Sequence, residues 1–260
     1  MEDNNTKSIG DSLVSGTKRK GSLVWAALVF GLCLIISVGV FSYTNYYLKI
    51  TEKATISVSG SIKQAVKSDT VKWTIVFSKT APINDLKLGY ANIKTDRDAV
   101  IDFLKKAGIE ESSMTVAPVN SMPIQLYSNT GPITPTENIF TQNIYVNSND
   151  VEKIKELARN IDPLINQNVR VDSSYLEYYY SKLPETRVEL LGQAVQDAQK
   201  RAQKIVEGTG RHLGNLQSAA AGVVQVLPLN SVDVSDYGSY DTSSINKEVM
   251  VTVKTVFNIK

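Results

Sequence analysis

The hydrophobic pattern of this chain changes period several times, and each change marks an element. Residues 21–48, "GSLVWAALVFGLCLIISVGVFSYTNYYL", carry no charged side chain. Their most apolar part, Leu23 to Phe41, is 19 residues long, which makes about 28 Å of helix at 1.5 Å per residue. A bilayer core is about 30 Å thick, so this segment is long enough to span it. The period then drops to two. "TISVSG" alternates Ile56 and Val58 with small polar residues, and "DTVKWTIVFSK" alternates Val71, Trp73, Ile75 and Phe77 with mostly polar neighbours. Near the end, "EVMVTVKTVFNIK" places Val249, Val251, Val253, Phe257 and Ile259 on one face. Such alternation predicts strands with one face on a core.

Helical periodicity appears three times after the apolar segment. Asn84 to Ala107 carries Leu86, Ile93, Val100, Ile101 and Leu104, with a break expected near Thr95 and a stop at Gly108, a residue type favoured just past a helix end. "NDVEKIKELARNI" places Val151, Ile154, Leu157, Ala158 and Ile161 on one face. Asn149 followed by Glu152 resembles a capping box, and Pro163 is expected to end this helix. The longest helix begins near Pro184, suited to a first helical position, with Leu191, Ala194, Val195, Ala198, Ala202 and Ile205 as its buried stripe. "SMTVAPV", "NIFTQNIYVNS" and "NVRVDSSYLEYYYS" read as further strands. "NSMPIQLYSNTGPITPTEN" and "NSVDVSDYGSYDTSSIN" read as exposed loops. Strand pairs interrupted by single helices predict an α+β domain, with a largely antiparallel sheet packed with about three helices and one N-terminal transmembrane helix before it.

The apolar segment has two readings. A secretory signal peptide has a shorter apolar region, about 7–15 residues, nearer the start. Ser37-Val38-Gly39 has only the small-x-small form of a cleavage site. A retained signal anchor is the favoured reading. Trp25 at one end and Tyr43, Tyr46 and Tyr47 at the other match interfacial aromatic belts. Lys18-Arg19-Lys20 precedes the span, and positive residues stay cytoplasmic. The expected organisation is a cytoplasmic tail over 1–20, a membrane helix over 21–48, and an extracytoplasmic domain over 49–260. A formal net charge of +2 argues against a nucleic-acid partner, which would call for a strongly basic face. The single cysteine, Cys33, excludes an intramolecular disulfide and a multi-cysteine metal site.

Residues 54–260 also carry a family resemblance. In order come "ISVSG", a strand after "SDT", Ala91-Asn92 within a helix, "LKKAGI", "NIYVNSNDVEKIKELA", the alanine-spaced "AVQDAQKRAQKIVEGTG", "HLGNL", and a closing valine-rich strand. Together they resemble the SIMPL domain family. The chain departs from it at Ser61-Ile62, where the family usually has Glu or Gly after the opening glycine. The resemblance implies export and a place in the periplasm or envelope of a bacterium. Some members are linked to stress resistance and others assemble into oligomers. It implies no established activity and no catalytic group.

"EGTGRHLGNL" surrounds His212 with Gly208, Gly210 and Gly214, but its spacing is G-x-G-x-x-x-G and a helix precedes it. A dinucleotide fingerprint needs a helix that follows, with its N-terminus toward the pyrophosphate. The stretch therefore reads as a helix stop, with Gly208 or Gly210 left-handed and His212 capping the end. Ser244-Ile245-Asn246-Lys247 has the S-x-x-K spacing of penicillin-interacting enzymes but lacks their companion motifs. Asp233, Asp236 and Asp241 do not have the spacing of an EF-hand. No catalytic residue, metal or cofactor is expected. Tyr175, Tyr178, Tyr179 and Tyr180 form the best candidate interaction surface, since tyrosine is enriched at interfaces. Ala194, Ala198 and Ala202 form a small-residue ridge that packs on the domain's own sheet or, alternatively, makes a subunit contact.

The leading expectation is a single-pass protein of the bacterial cytoplasmic membrane. Its periplasmic domain would act without catalysis, as a homo-oligomer or with an envelope partner. The alternative is an envelope hydrolase, or a ligand- or glycan-binding protein, using the 229–247 loop or the tyrosine strand.

Overall fold

The computed structural model describes residues 14–51, 54–128, 131–233 and 235–260. Residues 1–13, most of the expected cytoplasmic tail, lie outside the described residues. Two compact units emerge: an N-terminal unit that also takes in Asn258–Lys260, and Ile56–Phe257.

The N-terminal unit is built on one helix, α1 (Val14–Thr51). Val24–Tyr47, 24 residues, is long and apolar enough to cross a membrane and none of it is buried. The helix extends past both ends of the uncharged stretch, because Lys and Arg are good helix formers and nothing between Val14 and Leu23 forces a break.

The second unit is α+β with antiparallel sheets, as the patterning predicts. Its strands are β1 (Thr55–Lys67), β2 (Thr70–Pro82), β3 (Met114–Val116), β4 (Asn120–Pro123), β5 (Leu126–Ser128), β6 (Gly131–Ile133), β7 (Glu137–Ser148), β8 (Val171–Tyr179), β9 (Leu213–Ala221), β10 (Gln225–Pro228) and β11 (Asn246–Ile259). Its helices are α2 (Leu86–Lys106), α3 (Val151–Arg159), α4 (Asp162–Ile165) and α5 (Leu183–Glu207). One sheet runs β1-β11-β10, with β9 also on β11. The other runs β3-β7-β2-β8, with β4 also on β7. The β5–β6 hairpin stands apart.

The second sheet carries the larger core. Val71, Trp73, Ile75 and Phe77 of β2 are fully buried against Ile93, Val100 and Leu104 of α2, Ile154 of α3 and Leu164 of α4. A bulge at Asp172 in β8 shifts the pairing from Val76–Ser173 to Phe77–Val171. On the other sheet, α5 lies over β1 and β11. Val249, Val251, Val253 and Phe257 are buried on its side, together with Lys247 and Thr255.

Several local expectations change. Helix α2 is unbroken, with Thr95 donating to the Ala91 carbonyl within the turn. Its stop is as expected: Gly108 takes φ +72°. Asp150, not Asn149, caps α3 by accepting from the Lys153 amide. α3 ends at Arg159, ahead of Pro163 as expected, and Pro163 lies in the first turn of a separate short helix, α4, where its missing N–H costs nothing. In α5 the buried stripe is Thr186, Leu190, Ala194, Ala198, Ala202 and Val206, while Ile205 is exposed. The stretch over 120–138 holds β4 and the β5–β6 hairpin. β4 forms because Asn120–Pro123 find partners at Asn138–Thr141 of β7, a tertiary match that local composition does not reveal.

Candidate functional site

The tyrosine strand and the 229–247 loop, whose last two residues, Asn246 and Lys247, open β11, come together in the fold. The loop leaves β10, crosses to the end of β8 and returns as β11. Its path is pinned by backbone bonds at both sheets. On the β10 side, Val226 N donates to Ser239 O at 2.7 Å and Asp241 N donates to Val226 O at 2.8 Å. On the β8 side, Tyr178 N donates to Thr242 O at 2.7 Å and Tyr180 N donates to Tyr240 Oη at 3.1 Å. Ser68 N, in the β1–β2 turn, reaches Ile245 O at 2.8 Å. The loop is a strap that closes the open edges of two strands in two sheets.

Lys247 holds the strap. It sits one residue inside β11, and the strand's alternation points it to the buried face beside Val249, so its side chain is fully buried. The charge is compensated there. Nζ donates to the main-chain oxygen of Asp241 and lies 3.5 Å from its carboxylate, with the Tyr240 ring centroid at 6.0 Å. The carboxylate in turn accepts from Ser243 N at 2.8 Å, Ser243 Oγ at 2.7 Å and Ser244 N at 3.3 Å. Burial pushes Asp241 upward, but these bonds and the Lys247 charge outweigh it and its pKa falls to about 2. Burial pulls Lys247 below the ordinary lysine value, with Asp241 opposing.

The S-x-x-K pair is therefore divided between two tasks. Lys247 serves Asp241, and Ser244 gives its amide to the same carboxylate. Among the described residues, no three His, Cys, Asp or Glu side chains group as metal ligands. His212 is exposed, and the bonds closing α5 come from its neighbours rather than from it. Thr209 Oγ1 and Arg211 N both donate to Val206 O, and Gly210 adopts φ +72°.

The four tyrosines have different roles. Tyr178 is buried in the larger core, whereas Tyr175 is 49% exposed on the opposite face. Tyr179 lies against Tyr240 with ring centroids 6.0 Å apart, and Tyr180 Oη hydrogen-bonds Thr186 at the start of α5. Beside them is an open groove of about 320 Å³ lined by Leu183, Arg187, Val224, Val226, Tyr237 and Tyr240. Tyr237 stands almost fully in solvent.

The alanine ridge faces inward. Ala194, Ala198 and Ala202 are fully buried, and Gly60 of β1 lies so close that a Cβ there would overlap the Ala194 carbonyl. Small residues on both sides let helix and strand backbones touch, so the ridge is occupied by the domain's own sheet.

Two carboxylates that sequence reasoning did not single out also matter. Asp69, in the β1–β2 turn, accepts from Ser181 N and Oγ at 2.8 and 2.7 Å and so ties that turn to the start of α5. Asp96 is buried on α2 and pairs with Lys79 at 3.3 Å. Burial raises its pKa while Lys79 opposes the rise. Its spacing from Ile93 and Val100, along the apolar stripe, was the available signal.

No curated protein matches this chain in sequence. A family model does match, over residues 56–257: SIMPL, a protein of unknown function (DUF541). That span is nearly the whole strand-and-helix domain from β1 to the end of β11, and the chain belongs to the SIMPL family.

Proposed function

We propose that this is a single-pass membrane protein whose SIMPL domain lies outside the cytoplasm of a bacterial cell and acts there without catalysis, by assembling with itself or binding an envelope partner. The observation that carries the reading is α1, whose 24-residue apolar span, Val24–Tyr47, is unburied and long enough to cross a bilayer core. Lys18-Arg19-Lys20 ahead of the span favours a cytoplasmic N-terminus. Family membership fits an envelope setting, and a part in stress resistance belongs to the same proposal. The strap supports a binding role, because its lysine and carboxylate satisfy one another and so shape the loop. The test has two parts: a reporter fused after Lys260 that works only outside the cytoplasm, and the mass of the protein extracted from native membranes in detergent. An inactive reporter removes the topology, and a bare monomer with no crosslinked partner removes the assembly.

A second reading rests on the groove beside the strap. Two tyrosines and Arg187 around about 320 Å³ offer stacking surface and a cation to a sugar or carboxylate ligand. Tyr237→Ala would then abolish the thermal stabilisation produced by soluble peptidoglycan fragments. Equal stabilisation of both proteins would dismiss it.

A further inference from the structure

The larger sheet buries one face and, among the described residues, carries no helix on the other. Val71, Trp73, Ile75 and Phe77 point toward α2, α3 and α4, and α5 packs on the other sheet. Alternation then sends Lys72, Thr74 and Val76 to the opposite face. The register fills that face row by row. Thr74 stands between Tyr145 of β7 and Tyr175 of β8. Neighbouring strands lie about 4.8 Å apart, so the two tyrosines start about 10 Å from each other across β2. The next row sets Lys72 beside Glu177, and the one after it sets Thr70 beside Tyr179. The strap adds Tyr240, whose ring centroid lies 6.0 Å from that of Tyr179.

The polar groups among these rings are held in position. Lys72 Nζ lies 3.1 Å from the Glu177 carboxylate and 5.2 Å from the Tyr145 ring centroid. Glu177 also accepts from Tyr179 Oη at 3.1 Å. Tyr145 Oη accepts from Asn143 Nδ2 at 3.2 Å, which leaves its own proton to donate. Lys72 and Glu177 are the only charges on these rows, and they neutralise one another. One group is left over. Thr74 is fully buried between the two tyrosines, and its hydroxyl has no hydrogen-bond partner. A buried hydroxyl without a partner is costly and uncommon, so this one marks a place for a polar group from outside the chain.

We propose that this face binds an uncharged saccharide chain, with its sugar rings laid over Tyr145, Tyr175 and Tyr179. A pyranose presents C–H groups on its faces and hydroxyls around its rim. The C–H faces pack on the tyrosine rings, which offer large and rigid apolar area. The rim hydroxyls reach Glu177, Lys72, Tyr145 Oη and, where the ligand parts the first two rings, Thr74. Lys72 and Tyr179 fix the carboxylate beforehand, which lowers the ordering cost of binding. The paired charges disfavour a nucleic acid, which draws much of its affinity from free cations on its phosphates. The face is distinct from the groove beside the strap and shares only Tyr240 with it, and the groove's Arg187 suits an anion instead. This proposal goes beyond the assembly reading and does not depend on it.

The experiment is calorimetric titration of the full-length protein, in micelles of a detergent without a sugar headgroup, with hexamers of N-acetylglucosamine and of glucose. Saturable binding of at least one hexamer is expected. Tyr175→Ala, half-exposed and outside the core, should weaken it about tenfold, whereas Tyr175→Phe keeps the ring and stays within about twofold of the parent. Thr74→Val removes the orphan hydroxyl and keeps the branched shape, so it should weaken binding while the melting temperature holds or rises. A purely structural Thr74 would do the reverse. Tyr237→Ala, in the groove, should bind as the parent does. No binding of either hexamer overturns the proposal, and so does equal binding by the parent and Tyr175→Ala. Loss in Tyr237→Ala with retention in Tyr175→Ala moves the site to the groove and also overturns it. Tyr175-dependent binding of oligothymidylate in place of both hexamers overturns the choice of ligand.

Discussion

The strap makes a sharp prediction for Lys247→Met. The substitution keeps the length of the buried side chain and removes its charge. At 3.5 Å and an effective dielectric of about 20, the attraction to Asp241 is about 5 kcal/mol. Desolvating both groups cancels part of it, and removing one partner of a buried pair typically costs about 3–5 kcal/mol. Asp241 keeps its donors from Ser243 and Ser244, which sets the expectation at the lower end, about 3 kcal/mol. Urea unfolding of the full-length protein in micelles measures this through Trp73, which is fully buried in the larger core. The loss should also be local. Amide exchange at Tyr178, Val226 and Asp241, whose N–H groups are bonded between strap and strands, should speed up by about 100-fold, since 1.4 kcal/mol is tenfold. Adding Asp241→Asn to Lys247→Met should recover part of the stability, because the orphaned carboxylate is gone. A midpoint within about 0.5 kcal/mol of the parent, with those three amides still protected, would refute the assignment of Lys247 as the element that holds the strap.

Other consequences can be measured on the same protein. Asp241 titrates at about 2 when folded, against 3.8 for the free side chain. Its contribution of roughly 2 kcal/mol is therefore complete above pH 4, falls as pH drops from about 4 toward 2, and should vanish from the acid limb of the stability curve in Asp241→Asn. Gly60→Ala should cost about 3 kcal/mol or more in thermal or urea unfolding, since the new Cβ would overlap the Ala194 carbonyl and lie 2.8 Å from the Ala198 side chain. Gly210→Ala should cost only about 1 kcal/mol, the price of a left-handed conformation at φ +72° with open space around it; a loss as large as that at Gly60 would show that the stop after α5 is packed rather than merely turned.

Much of this protein is set by local periodicity. A 28-residue stretch without charge specifies an apolar helix wherever it folds. Strict alternation put Val71, Trp73, Ile75 and Phe77 on one face of β2 and Val249, Val251 and Val253 on one face of β11, because a strand has a period of two whatever its neighbours. The stop after α5 was legible for the same reason: a glycine after a helical stripe answers a backbone requirement that lies within a few residues. What tertiary structure decided was pairing across long sequence gaps. Lys247 shares the alternating face of Val249, so its inward direction was open to the sequence. That its charge would meet Asp241, and that the loop between them would brace two distant strands, was not. Gly60 is separated from Ala194 by most of the domain, and only their contact explains why both positions are small. Tyr178 and Tyr175, three residues apart on one strand, lie one in the core and one in solvent, which follows from strand alternation; which face met the core depended on where α3 and the strap came to rest. β9 shows the same division. Its lack of charge is plain in the sequence, but its place beside β11 is a long-range pairing that only the fold reveals.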